Sequence, residues 1–110
     1  MGRFAKGDVV IVPFPFSDLS ASKLRPALVV AALIGDDVIL CQITSQAKSD
    51  GYAISVGPTD FASGGLPKDS NARPNRLFTA ESGIVVRKAG KLRVAKVKEV
   101  VSKIVEIVSK

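Results

Sequence analysis

The stretch "RPALVVAALIGDDVILCQITSQ", residues 25–46, decides the fold. Two runs rich in Val, Ile and Leu flank Ile34-Gly35-Asp36-Asp37, a compact turn signal. Sequential strands usually pair, so the two runs read as an antiparallel hairpin. Each run carries polar residues at its outer end: Arg25 at the entrance of the first, Thr44-Ser45-Gln46 at the exit of the second. A turn at Gly35-Asp36 therefore sets Arg25 beside Thr44 at one end of the sheet. Pro26 keeps Leu24-Arg25 extended, because a residue before proline avoids the helical region. A strand-end arginine or a Thr-Ser-Gln turn alone is ordinary surface chemistry. Together they place a planar, permanently charged fork next to a hydroxyl, a combination suited to phosphate oxygens.

Outward from the hairpin, "GDVVIVPFPF" (7–16) reads as a strand whose end must lie at an edge or leave the sheet, since Pro13 and Pro15 cannot donate to a ladder. The polar "SDLSASK" (17–23) reads as a loop that could cover a groove. Downstream, "YAISVG" (52–57) alternates as a short strand, and "PTDFASGGLPKDS" (58–70) reads as a long loop or irregular crossing. "NARPNRLFTAE" (71–81) and "GIVVRKAG" (83–90) supply one or two further strands. The period then changes. In the last eighteen or so residues Val94, Val97, Val101, Ile104, Val105 and Val108 recur at helical spacing, with Lys96, Lys103 and Lys110 expected on a solvated face. So many β-branched residues make a poor helix, which must depend on docking. The expected fold is mainly β: one domain, residues 1–110, with a small, bent antiparallel barrel of five to seven strands and a C-terminal helix.

Composition narrows the chemistry. The chain has 110 residues, 46% hydrophobic and 24% charged, as in a soluble domain. Its apolar runs, about ten residues at most, are too short to cross a bilayer. The N-terminus lacks the apolar core of a signal peptide, so a cytoplasmic location and no membrane partner are expected. Cys41 is the sole cysteine, inside an apolar run, and reads as a small buried hydrophobe. Histidine is absent, which removes the commonest general base and the commonest metal ligand. No metal or cofactor is expected. Residues 1–50 carry five basic and five acidic side chains, whereas residues 51–110 carry eleven basic and five acidic. A basic half on a small domain suits a polyanion such as nucleic acid. Its densest polar cluster is "DSNARPNR", bringing Ser70, Asn71, Arg73 and Arg76 together.

The order and spacing of "KGDVVIVPFPFSD", "KLRPALVV", "ILCQITSQ" and "GLPKDSNARPNRLFT" resemble the MazF/PemK family of toxin endoribonucleases, over residues 7 to 92. The resemblance implies an SH3-like, PemK-type barrel, a homodimer, a cognate antitoxin that binds across it, and metal-independent cleavage of single-stranded RNA. Carried over by position, it makes Arg25 the catalytic arginine and Thr44 the catalytic hydroxyl. Ser45, Gln46, Ser70, Asn71, Arg73, Arg76 and Lys23 are the RNA-binding candidates. The chain departs from the family pattern in the first strand, where the family often has an acidic residue and a Trp or other aromatic and this chain has "VIVPFPF", and at Pro74, which breaks a strand the family continues. The alternative is a non-catalytic module on the same barrel, either an RNA binder or a poison of a protein such as gyrase.

Overall fold

The hairpin forms where the turn signal places it. Strands β2 (Lys23–Ala32) and β3 (Asp37–Thr44) pair antiparallel, with Leu28 opposite Cys41 and Ala32 opposite Val38. The computed structural model describes residues 3–14, 23–46 and 50–110; the expected loop cover at 17–23 falls, but for Lys23, outside them. Strand β1 (Asp8–Phe14) lies against β2, placing Val12 opposite Arg25. Strands β4 (Ile54–Val56), β5 (Phe61–Gly64), β6 (Ser70–Glu81) and β7 (Arg87–Leu92) complete one antiparallel sheet of order β4-β6-β3-β2-β1-β7-β5. β7 pairs with β1 only as far as Ile11, so Pro13 lies where that strand has one partner, as its missing N–H requires.

Connectivity forces this sheet to curl. Its two edges, β4 and β5, are consecutive in the chain and joined only by Gly57–Asp60, which includes a 3-10 turn. Such a link spans at most about 18 Å, whereas seven flat strands would hold the edges about 29 Å apart. The sheet is a curled half-barrel.

Segment 58–70, expected as a loop, therefore contains an edge strand. Small residues in "FASG" hide it from a propensity reading, and they are there because backbones nearly touch. Gly64 has φ +66°, and a Cβ on it would lie 2.3 Å from the Ala89 carbonyl oxygen on β7. Only glycine meets both conditions.

Curling buries both faces of the central strands, which explains their unbroken apolar runs. On one face Val9, Leu28, Cys41 and Ile43 join Ile54, Val56, Phe61 and Leu92 beneath the helix. On the other, Val10, Val12, Ala27, Val29, Val38 and Leu40 pack beneath Phe4, Phe78 and Val85. Helix α1 (Val94–Val108) docks through Val97 and Val100, with Val101 and Ile104 half-buried beside them. That is a correction to the expected stripe: Val94, Val105 and Val108 are exposed, and Lys96 and Lys103 are half-buried rather than on the opposite face. The reason lies at the helix start. The Arg93 N–H donates to the Asp60 carbonyl and its Nε to the Thr59 carbonyl, and Lys96 reaches Asp60 at 3.8 Å, which fixes the rotation of the first turn.

Among the described residues, no helix is long and apolar enough to cross a membrane.

Candidate active site

Extending the β2–β3 register from Ala27 opposite Gln42 brings Thr44 opposite Arg25. Both line a cavity of about 300 Å³ at that end of the sheet. Its rim is polar, with Arg25, Thr44, Ser45, Lys68, Ser70 and Arg87. Its apolar walls include Ile11, Pro26, Ile43 and Leu66.

Local bonds orient the rim. The Gln46 N–H donates to Thr44 Oγ1 at 3.2 Å, which occupies an acceptor position and leaves the hydroxyl hydrogen available to donate outward. Asn71, paired with Thr44 on β6, donates from Nδ2 to the Gln46 carbonyl at 3.3 Å and so holds that turn. Ser70 is buried, and its hydroxyl donates to the Lys68 carbonyl at 3.0 Å, which commits its hydrogen and leaves its oxygen as an acceptor facing the cavity. The site thus offers two guanidinium forks, an ammonium and a donating hydroxyl around an apolar floor. Such a cavity can hold an anion next to a flat apolar group.

The other candidates sit differently. Gln46 supports Thr44 through its backbone, and neither its side chain nor Asn71 lines the cavity. Lys23 and Arg76 are exposed and also outside it. Arg73 is a correction to the expected nucleic-acid face. It is buried, opposite Gln42 on β3, and its Nη2 donates to Asp50 Oδ2. The guanidinium beside Asp50 pulls that carboxyl down to about 2. Pro74 bears on this arrangement: β6 runs through it, but its pairing with β3 passes from Arg73 directly to Leu77, leaving 74–76 as a bulge. Cys41 is buried as expected; burial pushes its thiol up to about 12, against the N–H and charge of Arg73, so it stays neutral.

The sequence reading missed Lys68 and Arg87. Lys68 stands two residues before Ser70, and that proximity was the available signal. Arg87 reaches the rim because it lies opposite Ile11, a pairing of distant segments with no local signature. Its neighbours Lys88 and Lys91 are taken up differently, binding buried Asp8 at 3.1 and 3.2 Å. Burial raises the Asp8 carboxyl, but the Ala5 N–H and these two lysines outweigh it and hold the group below its ordinary value.

The fold is shared with solved toxins. The MazE–MazF complex of Deinococcus radiodurans superposes with a TM-score of 0.77 at 15% identity, covering 96% of each chain. An endoribonuclease bound to its cognate antitoxin, from a mycobacterial species, gives 0.75 at 15% identity, covering 96% of this chain and 95% of that one. Mycobacterium tuberculosis toxin MazF-mt6 gives 0.73 at 16% identity, covering 93% and 96%. No curated protein matches the chain. The model of the family described as PemK-like, MazF-like toxin of type II toxin–antitoxin systems matches residues 5–108. With nearly its whole length matched and a half-barrel of the same architecture, the chain belongs to that toxin family.

Proposed function

We propose that the protein is an endoribonuclease that cleaves single-stranded RNA at the Arg25–Thr44 cavity. The observation that carries this reading is the convergence of Arg25, Thr44, Lys68 and Arg87 on one small, apolar-floored cavity. RNA brings its own nucleophile, the 2′-hydroxyl, so a site without histidine needs no side chain to attack phosphorus. The 2′-oxygen bonds to phosphorus while the bond to the 5′-oxygen breaks; the 2′-hydroxyl proton leaves, and the 5′-oxygen takes one up. Negative charge gathers on the non-bridging oxygens meanwhile. The Arg25 guanidinium and the outward hydrogen of Thr44 are preorganised donors for that charge, and such groups supply most of the catalysis when they need not reorganise. Cleavage by this route requires no metal. Lys68 and Arg87 bind neighbouring phosphates, and the apolar walls accept a base. The protein acts as the toxin of a pair, as a homodimer restrained by a cognate antitoxin.

The test is incubation with single-stranded RNA in EDTA, where fragments are expected. Intact RNA, bound with a steep salt dependence, would instead identify a non-catalytic RNA binder. Arg87→Ala is expected to weaken RNA binding at all sequences and to reduce the salt slope by about one unit, as loss of one phosphate contact does. Titration of RNA binding at several salt concentrations checks this, and an unchanged slope would remove Arg87 from the phosphate track.

A further inference from the structure

We propose that the ion pair between buried Arg73 and Asp50 is a latch that positions the catalytic end of β3, making both residues positioning residues for RNA cleavage. The inference rests on the endoribonuclease reading of the same site. Strand β6 holds the β3–β4 connection at two points. Near the cavity, Asn71 binds the Gln46 carbonyl, and Gln46 in turn donates to Thr44 Oγ1. At the far end, Arg73 binds Asp50, whose other oxygen accepts from the Tyr52 N–H at 3.0 Å. Asn71 and Arg73 are two apart on one strand, so both project to the same face. Gln46 and Asp50 are thereby each tied to one rigid element, and rim residue Ser45 lies between Thr44 and the first of these ties.

A role in packing alone does not account for Arg73. Its side chain is 6% exposed, yet among the described residues Nε and Nη1 have no hydrogen-bond partner. Orphaned buried donors are costly, and an apolar side chain of similar size would fill the space with less penalty. What only a guanidinium supplies here is a directional hold on Asp50, which is itself partly exposed and belongs to the connection rather than to the core. Catalytic donors must sit within a fraction of an ångström of their place, and a misplacement of about 1 Å can cost about a hundredfold in rate.

The experiment compares wild type, Asp50→Ala, Asp50→Glu and Arg73→Met in single-turnover cleavage of a short RNA, with amide exchange at Gln46. Arg73→Met is included because Asp50→Ala leaves a buried cation unpaired. Expected are a fall in kcat of about tenfold or more in both Asp50→Ala and Arg73→Met with KM little changed, faster Gln46 exchange, and partial rescue by Asp50→Glu. Folded variants with wild-type kcat would overturn the latch, reducing the pair to a fold anchor. A raised KM at unchanged kcat would also overturn it, marking the pair as an RNA contact. A wild-type protein that cleaves no RNA would overturn the endoribonuclease reading itself, a separate failure.

Discussion

Arg25→Ala is expected to lower the single-turnover rate of RNA cleavage by about 10²–10³-fold, equivalent to about 2.7–4 kcal/mol, the effect of deleting one preorganised oxyanion donor. Arg25 is half-buried beside Val12 on β1 and lines the cavity, while the core positions of β2 begin at Ala27. Truncation at Arg25 therefore leaves the packed part of the strand in place, and circular dichroism should show an intact fold. Lys68 and Arg87 remain at the rim, so RNA affinity should fall far less than rate. Arg25→Lys separates charge from geometry. An ammonium keeps the charge but loses the planar fork, so most of the loss should persist. A folded Arg25→Ala protein that cleaves at the wild-type rate would exclude Arg25 from the chemistry.

Leu28→Ala is expected to destabilise the fold by about 2–5 kcal/mol, a large share of the stability of a domain this size. Leu28 is fully buried, opposite Val9 on β1 and Cys41 on β3, in the core cluster that receives Val97 and Val100 of the helix. Truncation opens a cavity where two strand neighbours are held by ladder bonds and cannot collapse inward. Urea denaturation measures the loss as a lower midpoint at an unchanged slope. Since α1 is rich in β-branched residues and depends on this docking site, helical signal should be lost in the same transition. A loss below about 1 kcal/mol would mean that the helix is not held by this core.

What could be read from the sequence, and what could not, divides along the range of the interactions. The β2–β3 hairpin rests on a local turn and two β-branched runs, and with it came the meeting of Arg25 and Thr44. The helix rests on a local period, but two lines of valines compete for its buried face. The tie of Arg93 and Lys96 to a distant 3-10 turn selects Val97 and Val100. β5 escaped notice because its small residues serve a close approach to β7, which no local pattern encodes. Arg87 escaped because its place depends on β1 pairing with the far end of the chain. Arg73 misled for a related reason. In "DSNARPNR" it looks like one more surface cation, yet its register opposite Gln42 and the approach of Asp50 take it inside.

The most direct test of the account is the chemistry of the ends that the wild-type protein leaves on a short single-stranded RNA, read by mass spectrometry. Attack by the 2′-hydroxyl at the Arg25–Thr44 cavity predicts a 2′,3′-cyclic phosphate on one fragment and a 5′-hydroxyl on the other. Fragments ending in a 3′-hydroxyl and a 5′-phosphate would contradict it, because those ends require an external nucleophile.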